Sequence, residues 1–190
     1  LNPATFKFSH LHPSPQVRGA GLHRTVSMMD PASGGEVSCE KEVIDLHEFL
    51  QKWFTNGFAE GDDTDAAFDS FLSRFHDDFV YVFPGGTKIG KSGLAGMRGA
   101  LGSNPDFRIK THSYDFTPVP HTNGQCITGT YKEMQKGAKN CENHNGNNGR
   151  ITTPLFELSS GVQPNGVMWL RIHETWLPQE EIDAFDFNTF

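Results

Sequence analysis

Gly166-Val-Met-Trp-Leu-Arg-Ile-His-Glu-Thr-Trp-Leu-Pro178 decides how this chain is read. The turn signal Gln163-Pro164-Asn165-Gly166 precedes it, and β-branched, aromatic and aliphatic residues follow until Pro178, so it reads as the last strand of a folded core. Side chains alternate across a strand. Strict alternation puts Trp169, Arg171, His173 and Thr175 on one face and Met168, Leu170, Ile172, Glu174 and Trp176 on the other. Neither face is purely apolar. An Arg, a His and a Glu set among large hydrophobes point to a polar-lined cavity or a subunit contact.

Working back from that strand, the chain places helices before strands. Ser38 is positioned to cap a helix whose first turn holds Glu40 and Glu42, with Val43, Leu46, Leu50, Trp53 and Phe54 in one stripe and Gly57 as its end. After the acidic linker Glu60–Asp63, Thr64 or Asp65 caps a second helix carrying Phe68, Phe71, Leu72 and Phe75 at helical spacing. Phe79–Pro84 is a short β run that Gly85-Gly86 turns into Thr87–Ile89, and Ser92 caps a short helix with Leu94, Met97 and Leu101 on one side. Long β segments follow at about 107–117, 125–136, 150–159 and 166–177, separated by Pro-, Gly- and Asn-rich turns. The Asn-rich loop from Gly137 to Gly149 is expected to be the least ordered stretch inside the domain. Helices followed by a meander of strands make an α+β domain with one antiparallel sheet covered on one face.

At 190 residues there is room for one domain with a substantial core, and a high aromatic content, led by 16 Phe, suits a core or cavity walled by rings. A net charge of -7 argues against a nucleic-acid partner or an anionic membrane surface, and no stretch approaches the roughly 20 apolar residues of a bilayer span. Cys39, Cys126 and Cys141 form no disulfide framework, and no Asn-x-Ser/Thr sequon is present, which favours a soluble protein of a reducing, intracellular compartment, cytoplasmic or organellar. Residues before Asp30 carry no carboxylate but contain Lys7, Arg18 and Arg24. That segment reads either as an organelle transit peptide or as sequence ahead of a start at Met28-Met29. The expected organisation is therefore an extra or disordered segment at 1–36, the domain at 37–178 and a C-terminal tail at 179–190.

Phe71-x-x-x-Phe75-His-Asp-Asp-Phe-Val80, Pro84-Gly-Gly, Ile89-Gly90-Lys-Ser-x-Leu94, Thr130–Gln135, Thr153–Phe156 and Trp169–Pro178 together resemble the nuclear transport factor 2-like superfamily. Ketosteroid isomerase, scytalone dehydratase and the polyketide-cyclase-like proteins share that fold. The resemblance covers about residues 40–178; more closely, Thr130–Gln135, Thr153–Phe156 and Trp169–Pro178 are similar to a bacterial subfamily of small proteins of unknown function, with His-Glu-Thr-Trp-Leu-Pro as the most specific part. It implies a cone: a curved antiparallel sheet closed by the N-terminal helices around a central cavity, and often a homodimer through the sheet. It implies no particular reaction, since the fold serves enzymes, carriers and scaffolds.

Candidate chemistry follows from polar residues on neighbouring strands. Glu133 and His173 are the candidate acid–base residues; Tyr131, Arg150, Arg171 and Glu174 are candidate pocket residues, with Tyr81 and Trp53 as further walls. A buried acid and base with shifted pKa values would suit cofactor-free isomerisation, dehydration or cyclisation of a small apolar organic ligand. The plain alternative is a structural network in which Glu133 and Arg171 satisfy one another, inside a ligand-binding or scaffolding module without turnover. The helical spacing of Trp53 explains it as core, and His47 and His76 read as boundary residues on their helices. Gly85–Ser92 satisfies the phosphate-loop pattern, yet no run of βα units and no later Mg-binding Asp supports nucleotide binding. Cys141-Glu-Asn-His144 has metal-ligand spacing but no second pair, so neither a metal nor a cofactor is expected.

Overall fold

The computed structural model describes residues 31–139 and 146–190. Both the acid-free start and the Cys141–His144 spacing lie outside the described residues, as does the middle of the Asn-rich loop, residues 140–145. In chain order the elements are α1 (Pro31–Thr55), α2 (Thr64–Ser73), β1 (Phe75–Val82), β2 (Lys88–Gly90), α3 (Lys91–Ala95), a 3₁₀ turn at Gly96–Ala100, β3 (Arg108–Pro118), β4 (Cys126–Lys136), β5 (Asn148–Leu158), β6 (Val167–Trp176) and α4 (Gln179–Ala184). Among the described residues no helix is long and apolar enough to cross a membrane.

The strands form one curved six-stranded sheet in the order β2-β1-β6-β5-β4-β3. An α+β cone is what the residues build, with one departure from the expected antiparallel sheet: β1 runs parallel to β6. The whole of β3, β4 and β5 separates those two strands in the chain, far more than the dozen residues that a parallel crossover needs. On β3, Ser113 takes φ 56° where the pairing with β4 slips between His112 and Asp115, a bulge that bends the strand. Gly129 lies opposite, where a Cβ would overlap the Asp115 carbonyl oxygen.

α1 lies across the inner face of the sheet and packs on β3, β4 and β6. It starts earlier than its sequence suggests. Ser38 is not its cap; from inside the helix its Oγ donates to the Gly34 carbonyl. The added turns pack home because Gly35 sits so close to Leu158 and Ile127 that a Cβ there would lie 2.8 Å from a Leu158 methyl. At the other end Asn56, at φ 55°, closes the helix as the amides of Asn56 and Gly57 bond back to Trp53 and Lys52. On α2 the cap is Asp63, one residue ahead of the expected pair, with its carboxylate accepting from the Ala66 amide at 2.9 Å.

The core fills the narrow end of the cone. Trp53, Phe68, Phe79, Phe156 and Trp169 are at most 1% exposed. Each such ring contributes on the order of 2–3 kcal/mol by leaving water. Residues 179–190 do not trail away from the sheet: Ile182, Phe185, Phe187 and Phe190 gather on Met134, Ile151 and Leu177, on the face away from α1. The phosphate-loop look-alike is a hairpin turn, β2 and a five-residue helix, and Lys91 reaches Asp77 at 2.9 Å.

Candidate functional site

Above the packed end, the sheet and the helices enclose a cavity of about 830 Å³. Its helix-side wall is apolar apart from His47, with Leu46 and Leu50 from α1, Phe71 from α2, Leu94 from α3 and Met97 from the 3₁₀ turn. Its sheet-side wall is polar. Two neighbouring rungs run across β6, β5 and β4: Glu174 faces Thr152 and Thr152 faces Tyr131, while Trp176 faces Arg150 and Arg150 faces Glu133. Strand alternation puts Tyr131, Glu133 and Gln135 on this inner face together.

The polar groups form a chain of contacts. Tyr81 on β1 donates its hydroxyl to Glu174 Oε1 at 2.6 Å. Arg150 Nη1 donates to Glu174 Oε2 at 2.9 Å and lies 3.9 Å from Glu133 Oε1. The guanidinium is held in place by Gln135, which accepts from Nη2 at 3.2 Å, and by the Trp176 ring beneath it. Glu133 Oε1 also accepts from Gln135, and Oε2 meets His47 Nε2 at 2.9 Å.

Burial and neighbours pull the two carboxyls in opposite directions. Burial alone would raise Glu133, but the bonded His47 and the nearby Arg150 overcome it and hold the carboxyl down at about 2. For Glu174, burial and the Glu133 charge outweigh Arg150 and Tyr81, and the carboxyl is pushed up to about 7. Burial would lower His47, yet the Glu133 bond raises it, and Tyr81 and Tyr131 are driven well above the usual phenol range by burial and the adjacent carboxylates. Two neighbouring carboxyls whose pKa values are pushed apart, one down and one up, are the raw material of acid–base catalysis.

His173 and Arg171 are not part of this arrangement, contrary to the alternation expected from sequence. Phe156 pairs with Trp169 while the preceding Leu155 pairs with Arg171, so β6 carries one extra residue at Leu170. This bulge flips every later side chain to the opposite face. Trp169 points inward ahead of the bulge; beyond it Ile172 and Glu174 point inward, and Arg171, His173 and Thr175 are exposed. Of the two readings of Trp53, its helical spacing is right and its place as a pocket wall is not: it is core, with its indole N–H on the Met97 carbonyl at 3.0 Å, and it does not line the cavity. Tyr81, Tyr131, Glu133, Arg150 and Glu174 do line it, joined by His47 and Gln135. His47 is no boundary residue: its place between Leu46 and Leu50, four residues after Val43, lies within the apolar stripe. A polar residue on such a stripe needs a buried partner, which was the available signal. Among the described residues, no three His, Cys, Asp or Glu side chains gather as a metal would require.

No protein-family model and no curated protein matches the sequence. Solved structures do match in fold. A nuclear transport factor 2-like protein of unknown function from Pseudomonas aeruginosa is 21% identical, with 74% of this chain and 99% of that one covered at a TM-score of 0.59. A hexachlorocyclohexane dehydrochlorinase is 11% identical over 76% of this chain and 88% of its own, at a TM-score of 0.52. An uncharacterised protein with a cystatin-like fold from Caulobacter vibrioides is 12% identical over 82% and 99%, at a TM-score of 0.53. With the helices, the curved sheet and these likenesses in place, the chain is an α+β protein of the nuclear transport factor 2-like cone fold.

Proposed function

We propose that the cavity takes a small, largely apolar organic molecule and that Glu174 moves a proton on it without a cofactor, as in an isomerisation, dehydration or cyclisation. The observation that carries this reading is the position of Glu174: an almost fully buried carboxyl on the polar sheet-side wall of the cavity, tied to Tyr81 and Arg150, with burial and the Glu133 charge pushing its pKa up. General bases work best when their pKa lies near the operating pH. As a carboxylate, Glu174 would take a proton from a carbon beside a substrate oxygen, and the electron pair of the broken C–H bond would pass to that oxygen. Tyr131 and Arg150 are the donors positioned along the same wall to stabilise the charge that forms there. Returning the proton to a different carbon isomerises the substrate; delivering it to a departing hydroxyl dehydrates it. The fold is compatible with chemistry on compact apolar molecules, since a hexachlorocyclohexane dehydrochlorinase shares it. The expected roles of Glu133 and His173 as base pass to Glu174, because Glu133 is held as an anion and His173 faces away.

The test is proton exchange. Apolar ketones, enones and hydroxy-ketones are incubated with the protein in D₂O and followed by proton NMR, beside Glu174→Gln. Exchange or elimination that falls by about 10²- to 10⁴-fold in Glu174→Gln, with folding kept, supports the reading. Equal rates in both proteins would sink it.

A second reading, a ligand-binding module without turnover, draws on one observation: both oxygens of Glu174 already accept a hydrogen bond from the protein. Native mass spectrometry of the purified protein separates the two. A retained molecule released unchanged and never transformed favours the module.

A further inference from the structure

His47 spends both ring nitrogens inside the protein. Nδ1 lies 2.6 Å from the Val43 carbonyl oxygen, which can only accept, so Nδ1 carries a hydrogen. Nε2 lies 2.9 Å from Glu133 Oε2, and an ionised carboxylate can only accept too. The two contacts together call for a doubly protonated ring beside an ionised Glu133, buried on both sides: the side chains are 6% and 4% exposed. No lone pair of His47 is left for a substrate proton, so the histidine that the cavity contains is not a base.

The effect of this pair reaches further along the wall. Glu133 faces Arg150 at 3.9 Å, and the same Arg150 nitrogen bonds Glu174. The titratable groups that act on Glu174 are Arg150 from β5, Tyr81 from β1, Glu133 and Tyr131 from β4 and, in turn, His47 from α1. We propose that His47 is a positioning residue: by holding Glu133 as a fixed anion behind Arg150, it assigns the mobile proton of the cavity to Glu174 and sets the pH at which that proton moves. The inference rests on the reading of Glu174 as the acid–base group. Removing the ring would leave Glu133 and Glu174 competing for Arg150, and the two carboxyls would then have to share a proton.

The test needs no substrate. Protein labelled with ¹⁵N in histidine and ¹³C at the glutamate carboxyls is titrated from pH 5 to 9, as wild type, His47→Gln and Glu133→Gln. In the wild type, both ring nitrogens of His47 are expected to remain protonated at pH 7.5. The upper carboxyl titration is expected to rise by about 1 pH unit in His47→Gln and to fall by about 1 unit in Glu133→Gln, opposite directions that a purely structural role does not produce. Should His47→Gln not fold, the wild-type ring signal and Glu133→Gln carry the test. A singly protonated ring at pH 7, with Glu133 holding the other proton, would overturn the proposal. So would an upper titration that stays put in Glu133→Gln or shifts the same way in both variants. Failure of Glu174 as a base is read separately, from the D₂O exchange rates, which do not enter this titration.

Discussion

Among the described residues two arginine–carboxylate networks lie buried against the same helix, and one of them lines the cavity. The first is at the narrow end: Glu42 of α1 accepts from the Trp169 indole at 2.9 Å and from Asn165 at 2.8 Å, with Arg74 at 3.4 Å. The second begins five residues later at His47 and continues through Glu133, Arg150 and Glu174. Along a helix that separation is only about 7.5 Å. Burial, outweighing its partners, raises the Glu42 carboxyl as it raises that of Glu174, so a shifted pKa does not distinguish them. Surroundings do. Glu42, Arg74, Asn165 and Trp169 pack against one another and the aromatic core, whereas Glu133, Arg150 and Glu174 line the cavity. Glu42 ties the β5–β6 turn to α1, and its chemistry ends there. The comparison teaches that buried charge becomes a candidate for function where a ligand has room to meet it.

The sharpest way to break the comparison is Glu42→Ala. It leaves Arg74 and the Trp169 N–H buried without their partner, and unfolding in urea is expected to show a loss of about 3–5 kcal/mol. If the cavity network is independent, the Glu174 titration of this variant is unchanged wherever it still folds.

A smaller effect belongs to pH. The folded-state pKa of Glu174 is raised, so the stability tied to its protonation is present below the unfolded value of 4.5 and lost as pH rises through about 7. His47, also raised, loses its contribution in the same direction, whereas the lowered Glu133 contributes above 4.5 and loses its share only as pH falls towards about 2. Urea unfolding is therefore expected to show a decline of about 1–3 kcal/mol between pH 5.5 and 8.5, with a flatter profile in Glu174→Gln. An identical slope in the two proteins would contradict the assignment.

The smallest effect is expected beyond the bulge. Arg171→Ala and His173→Ala remove exposed side chains from the outer face, and each should change stability by less than about 0.5 kcal/mol and leave the cavity titration where it was. A shift of that titration in His173→Ala would restore the unbroken alternation that the bulge at Leu170 contradicts.

That bulge marks where the sequence stops being legible. The order of helices and strands, the apolar stripe of α1 and the inward row Tyr131, Glu133, Gln135 follow from periodicity, since burial demands it. One extra residue in β6 carries no periodic signature, because Arg171, His173 and Thr175 alternate with Ile172, Glu174 and Trp176 just as well facing either way. The start of α1 was hidden for a different reason. Ser38, Glu40 and Glu42 look like a helix entry, but packing of Gly35 on Leu158 carries the helix further back, and no local signal reports a tertiary contact. In the C-terminal segment, Phe185, Phe187 and Phe190 were a sign of burial that its acidic residues Glu180, Glu181 and Asp183 obscured.

The central claim is that Glu174 is the group whose proton moves at neutral pH, and its own titration tests this most directly. Carbon-13 spectra of glutamate-labelled protein are recorded from pH 4 to 9 beside Glu174→Gln. One carboxyl titrating at about 7, and missing from the variant, is the predicted result. Glutamate carboxyls that all titrate within the ordinary range near 4.3, in both proteins, would contradict it.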